Sequence, residues 1–280
     1  RPASWIKEIT SVLTRNGLTE KQILLAQEMS REYFTPLGKT LVHFLSDGIP
    51  SELSPASSDR SPSSHLPPSS QWQKVLAQLL KDGRQFLSIH PRDRALVIAL
   101  LIEKLQKKKS TSKQSILILV PEIIGAELLA STLSDFGIEH TLITSSLTRK
   151  NFLIAWNKAR VPGNVFIGTR QALFAPFVNL KTILYAAHDS YTACFLSLRC
   201  AVRRVVLLFP NLFHAHLISI SSFLDTAQTY DKDVSKLSHT DLVSALPLAP
   251  LNIINLRLER YRKNYSPLSV ESREHIAHAL

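Results

Sequence analysis

Trp5, Ile6, Ile9, Val12 and Leu13 recur at helical spacing, and Asn16-Gly17 stops the run. Thr19, followed by Gln22 three residues later, is a capping-box pattern that opens a second helix. Ile23, Leu24, Gln27, Met29 and Tyr33 carry that helix to Pro36, which ends it. Leu37, Leu41, Phe44 and Leu45 give a third short helical face, closed by Asp47-Gly48 and Pro50. Residues 1–50 are thus expected to form a small helical unit, complete only if something else covers its apolar sides. The periodicity then vanishes. Residues 51–70 read SELSPASSDRSPSSHLPPSS, a Ser/Pro tract with almost nothing to bury. It is expected to be a disordered linker between two separately folded parts.

Beyond the tract, short apolar runs alternate with helical patterns. Strands are expected at Phe86–Ile89, Ile116–Val120, Thr141–Ile143, Val165–Ile167, Thr182–Tyr185 and Leu217–Ile220. Helices are expected at Asp93–Lys107, Ile123–Phe136 and Arg149–Arg160. Continuous apolar strands alternating with helices predict an α/β fold, a parallel sheet with helices on both faces. Leu198–Phe209 reads either as a helix ended by Pro210 or as a helix followed by a strand. Leu251–Leu256 reads as a last strand and Glu271–Leu280 as a helix. The chain has no internal repeat.

The 280 residues are enough for one or two domains with a sizeable core. Lys+Arg number 33 against Asp+Glu 22, a formal net charge of +11. That surplus favours polyanionic partners, nucleic acid before anionic membrane, with a solvated surface as the plainer explanation. No apolar run reaches the roughly 20 residues needed to span a bilayer, and no secretory signal opens the chain. Membrane partners are therefore not expected. Cys194 and Cys200 are the two cysteines, too few for a disulfide framework or a zinc site by themselves, which suits a reducing cytoplasm. His214 and His216 form the one close histidine pair, without a third ligand nearby. No metal site is expected. Lys107-Lys108-Lys109 and Arg203-Arg204 are basic clusters of the kind that more often form a solvated face.

Several segments, in order, resemble the PriA-type replication-restart helicases (primosomal protein N′). Tyr33-Phe34-Thr35-Pro36-Leu37-Gly38 with Pro50 is similar to the Y-x-x-P-L-G…P that closes that family's N-terminal DNA-binding domain. Ile118-Leu119-Val120-Pro121-Glu122-Ile123 resembles its L-V-P-E-I strand-to-helix junction, and Ser146-Leu147-Thr148 with Ala155-Trp156 its G-L-S…A-W helix. The strongest match runs from Ile167 to Leu180, against I-G-T-R-S-A-L-F-A-P-F-x-N-L. The resemblance implies a RecA-like helicase lobe, with residues 1–50 as the tail of the first DNA-binding domain. It puts lobe 1 at 71–247 and the start of lobe 2 at 248–280. The absent initiator Met suggests a fragment, truncated at both ends. The implied setting is the bacterial cytoplasm, at the nucleoid. The implied partners are single-stranded or branched DNA, primosome proteins, the replicative helicase or its loader, and single-strand-binding protein.

The family uses ATP and Mg²⁺, and neither is expected to be used here. A phosphate-cradling loop needs glycines to turn backbone N–H groups inward, a Lys, and a Ser/Thr hydroxyl for magnesium. Where the family reads G-x-T-G-S-G-K-T, this chain has Ser88-Ile89-His90-Pro91-Arg92-Asp93-Arg94-Ala95. No glycine remains, Arg94 stands in the Lys position, and Ala95 cannot ligand a metal. Of the degenerate loop, Ser88, His90, Arg92, Arg94 and Ala95 are the positions to watch. The metal-binding D-E-E-H becomes Tyr185-Ala186-Ala187-His188, followed by Asp189, so no catalytic residue is expected. A third motif, G-S-A-T-P, becomes Ile218-Ser219-Ile220-Ser221-Ser222. Phosphoryl transfer rests on positioning and charge neutralisation, which these changes remove. Gly168, Thr169 and Arg170 stay intact at a strand end, where RecA-like helicase lobes contact DNA. The expected activity is binding of single-stranded or forked DNA in replication restart, without hydrolysis or unwinding. The alternatives are an active ATP-dependent 3′→5′ helicase and a primosome scaffold that does not bind DNA.

Overall fold

The computed structural model describes residues 17–45, 70–81, 83–107, 114–186, 194–195, 200–222, 234–238, 260–261, 265 and 269–279. The expected helix over Trp5–Leu13, the 51–69 tract, His188-Asp189 and the strand at Leu251–Leu256 lie outside the described residues.

Nine strands are described: β1 (Arg84–Ser88), β2 (Ser115–Leu119), β3 (Thr141–Ile143), β4 (Val165–Gly168), β5 (Leu180–Tyr185), β6 (Cys194–Phe195), β7 (Cys200–Ala201), β8 (His216–Ser221) and β9 (Val234–Ser238). Seven form one sheet in the order β3-β4-β2-β5-β8-β1-β9, every neighbouring pair parallel. Cys194 and Cys200 lie on β6 and β7, which pair antiparallel. The helices are α1 (Glu20–Glu32), α2 (Leu37–Leu41), α3 (Ser70–Leu79), α4 (Pro91–Lys107), α5 (Ile123–Asp135), α6 (Arg149–Lys158), α7 (Val202–Val206), α8 (Phe209–Phe213) and α9 (Val270–Ala279).

Alternation along each strand sends successive side chains to opposite faces. On β2, Ile116 and Ile118 share a buried cluster with residues of α3, α4 and α5, while Leu117 and Leu119 share another with residues of α1, α6, α7 and α8. Both faces are dry, so Ser-Ile-Leu-Ile-Leu is buried throughout and no polar alternation survives. This is the expected α/β fold, a parallel sheet covered by helices on both faces.

α1 carries the predicted capping box: Gln22 N–H donates to Thr19 Oγ1 at 3.2 Å, and Thr19 N–H to Gln22 Oε1 at 2.8 Å. Its apolar side has a cover. Leu25, Ala26 and Met29, with Phe44, belong to the same buried cluster as β2, β4 and β5. Gln22 Nε2 also donates to the Phe174 carbonyl at 2.7 Å, and the Arg160 guanidinium to the Gly17 carbonyl at 2.9 Å. The helical segment and the sheet therefore form one folded unit, not two separate parts.

The residues divide into compact units Arg1–Leu242 and Val243–Leu280. Within the second, Ser269 Oγ caps α9 by accepting from Ser272 N–H at 2.9 Å.

Several elements depart from expectation, among them the short pair β6 and β7. α3 was not foreseen, although Val75, Leu76 and Leu79 are buried against α4 and the sheet. β9 was not foreseen either. Pro210 lies in the first turn of α8 rather than ending a helix: without an N–H it fits there, where that donor would have no partner. α5 ends in a Schellman motif, with Gly137 at φ 66° and the Ile138 N–H reaching the Leu133 carbonyl at 2.9 Å. That turn sends the chain into β3.

Candidate nucleic-acid interface

The carboxyl edge of a parallel sheet is where crossover connections leave a crevice. Two neighbourhoods on this edge matter, at β1/β8 and at β2/β4/β5.

At the first, β1 passes into α4 through Ile89 and His90 alone. Ile89 is buried, and its N–H donates to the Ser221 carbonyl at 2.8 Å. Pro91 has no N–H, and the Asp93 N–H donates to the His90 carbonyl at 3.0 Å. Of the backbone donors that a phosphate cradle would turn toward a ligand, that of Pro91 is absent and those of Ile89 and Asp93 are used internally. Ser88 Oγ donates to the Ser222 carbonyl at 2.9 Å. Asp93 Oδ2 is buried without a hydrogen-bond partner, which adds negative potential where phosphate would approach. Arg94 reaches across the crevice: one terminal nitrogen donates to the Ala186 carbonyl and the other to Ser222 Oγ, each at 3.4 Å. It ties α4 to the ends of β5 and β8. His90 is exposed, and Ala95 packs against the apolar cluster under α4. Arg92 belongs to the first turn of α4, and Ala187 lies outside the described residues.

At the second, a groove of about 440 Å³ is lined by Pro121 to Ile124, Ser145, Thr169, Arg170, Tyr185 and Val202, with Leu119 and Val120 beneath. Gly168 makes its wall possible. A Cβ there would lie 2.3 Å from Ala172 Cβ and 2.9 Å from the Ile143 carbonyl oxygen, so only glycine lets β4 turn this tightly into the 3-10 segment Arg170–Phe174. Gly168 shapes the site and Thr169 and Arg170 line it. Thr169 is buried and Arg170 exposed. Opposite stands the start of α5, whose N-cap Glu122 makes no side-chain cap hydrogen bond. A helix N-terminus without a side-chain cap presents backbone N–H groups and a positive dipole end, both favourable to anions. Glu122 is the one acid among the lining residues and works against that.

The structure brings Thr169 and Arg170 together with residues that the sequence argument did not name as a site: Pro121–Ile124, Ser145 and Val202. The Pro121-Glu122 junction carried the usable signal, since it was recognised as a motif but given no role. Tyr185, noted as a lost acid, lines the groove, whereas Ala186 belongs to the opposite face beside Arg94. His216 lies at the start of β8 and His214 before it at φ 50°. Among the described residues no group of three or more His, Cys, Asp or Glu is placed to hold a metal ion, and no helix is long and apolar enough to cross a membrane.

No protein-family model matches the chain, and no curated protein sequence does. Solved structures of similar fold include the UvsW helicase from bacteriophage T4, at 16% identity over 64% of this chain, TM-score 0.45. The Hef helicase domain of Pyrococcus furiosus matches at 13% over 62%, TM-score 0.46. A DEAD box protein from Methanococcus jannaschii matches at 13% over 59%, TM-score 0.42. The likeness is one of fold alone. This chain spans 62%, 38% and 48% of those three chains.

Proposed function

We propose that the protein is a PriA-like replication-restart component that binds single-stranded or forked DNA without hydrolysing ATP, serving to recruit primosome partners. One observation carries this reading. The uncapped N-terminus of α5 and the Thr169–Arg170 corner face each other across one groove, while the neighbouring nucleotide crevice is tied shut by Arg94. A DNA phosphate in the groove would meet a guanidinium, a hydroxyl and backbone N–H groups, the donor set that phosphates favour. The net charge of +11 supplies long-range attraction. Tight closure of β1 onto α4 argues against ATP as a cofactor.

Phosphate contacts release counterions, so affinity falls steeply with salt. Replacing Arg170 by Ala weakens binding by about 1–3 kcal/mol and lowers the salt slope by about one phosphate. The fold survives, because an exposed side chain is removed. Fluorescence anisotropy with labelled single-stranded and forked DNA at several salt concentrations tests this, with circular dichroism as the folding control. Absence of binding at low salt, or a folded Arg170→Ala that binds as tightly as the parent, contradicts it. The first result favours a primosome scaffold.

A further inference from the structure

The groove beside Arg170 is larger and more apolar than a phosphate needs. Six of its eleven lining residues are aliphatic, and a seventh is Tyr185. Leu119, Val120, Tyr185 and Val202 are buried and make its floor, whereas Glu122, Ser145 and Arg170 are exposed and make its rim. A phosphate gains nothing from such a floor. Moving a charged group out of water onto apolar surface is costly, so the anion stays at the rim. At about 440 Å³ the space falls within the roughly 300–1,000 Å³ of pockets that take small organic ligands, which are likewise mostly apolar with a few placed polar groups. A strand held by its backbone alone would leave this floor uncovered.

Thr169 says more about the occupant. It is only 6% exposed, lines the groove, and as N-cap residue of the Arg170–Phe174 segment makes no side-chain cap hydrogen bond. A threonine in that position ordinarily uses its hydroxyl to cap, and buried polar groups are as a rule paired. An occupant of the groove can supply the partner. Because a hydroxyl both donates and accepts, it can meet a polar edge of either kind. One nucleotide of a single strand has all the matching parts: an anion for Arg170 and Ser145 at the rim, a weakly hydrated ring face for the floor, and a polar edge for Thr169. An aliphatic side chain of a protein partner would cover the floor but leave Thr169 and Arg170 unmatched.

We propose that the groove receives one unpaired base of the bound strand, its face on the apolar floor and its edge on Thr169, with the adjoining phosphate at Arg170. The site rests on the DNA-binding reading above and adds what the groove selects, an unpaired base of any identity. Duplex is excluded, because its bases are stacked and paired out of reach.

The test is anisotropy of a short labelled thymidine oligomer and of an abasic oligomer of the same length, against the full chain and its Thr169→Val and Arg170→Ala variants, over a salt series. Thr169→Val keeps the side-chain shape and removes only the hydroxyl, and circular dichroism confirms its fold. The parent is expected to bind the abasic oligomer roughly 5- to 100-fold more weakly than the thymidine oligomer, the effect of losing a base contact. The two salt slopes are expected to be equal, because the phosphates are equal in number. Thr169→Val weakens thymidine binding roughly 2- to 10-fold and leaves abasic binding unchanged, since the hydroxyl then has no base edge to lose. Arg170→Ala weakens both and lowers both slopes. Suppose Arg170→Ala behaves so, yet the parent binds the abasic oligomer as tightly as thymidine, or Thr169→Val does not selectively weaken thymidine binding. This proposal alone is then overturned, and the floor is left for a protein partner. If the parent binds neither oligomer at low salt, the DNA-binding reading falls and takes this proposal with it.

Discussion

A methyl group on Gly168 would collide with Ala172 Cβ at 2.3 Å and with the Ile143 carbonyl at 2.9 Å, and the second obstacle is backbone that cannot rotate away. Gly168→Ala is therefore expected to destabilise the fold by about 1–3 kcal/mol, the usual range for overpacking, read as a lower midpoint in urea. Glu122 is the opposite case, a residue whose loss is expected to help. It is exposed, caps nothing with its side chain, and adds a negative charge to a groove otherwise suited to phosphate. Glu122→Gln is expected to tighten single-stranded DNA binding by roughly 2- to 5-fold at low salt, with the gain fading as salt rises. Anisotropy measures it, and unchanged or weaker binding places the strand elsewhere. Sequence made the individual losses in the nucleotide motifs legible because each is a change of chemical type. What it did not give was where the remaining groups go: Arg94 bridges two strand ends and Tyr185 faces a different groove, and both depend on which side of β5 each residue occupies.

At the scale of elements, the 3-10 segment Val42–Phe44 clamps the N-terminal helices to the Arg170–Phe174 segment that forms the groove wall. Phe44 meets the Phe174 ring edge-on at 4.9 Å, and the His43 ring lies 5.6 Å from it. Burial, and then the nearby Lys39 charge, hold the His43 pKa below its ordinary 6.5. A lowered folded pKa means the unfolded chain takes the proton first. Stability is thus complete above pH about 6.5 and declines as pH falls from there toward the folded value. Urea unfolding between about pH 7.5 and about pH 5.5 reads this component, which His43→Gln is expected to remove. Most elements were legible in the sequence because strands buried on both faces read as unbroken apolar runs and amphipathic helices keep their period. α3 escaped because its apolar spacing, Trp72, Val75, Leu76 and Leu79, is short and follows directly on the Ser/Pro tract. β9 escaped because an edge strand bonded only to β1 needs little apolar patterning, and Val234 and Leu237 supply little.

At the scale of the whole molecule, the parallel sheet keeps one half of its carboxyl edge open and closes the other. The closed half is built from short connections: a two-residue passage from β1 to α4, Ile89 bonded to Ser221, and Arg94 across the top. The open half is the groove between α5 and Thr169–Arg170. Sequence reasoning reached both halves through motifs but could not join the Pro121-Glu122 junction to Thr169–Arg170, because that neighbourhood arises only when β2, β4 and β5 pair side by side. The central claim is that DNA binding persists in a lobe that no longer turns over nucleotide. Phosphate release by the full chain with ATP, Mg²⁺ and enough forked DNA to saturate the anisotropy signal of the same sample tests it most directly. The account predicts bound DNA with no DNA-stimulated hydrolysis above background; a DNA-stimulated turnover of about 1 s⁻¹ or more, within the ordinary range of enzymes, contradicts it.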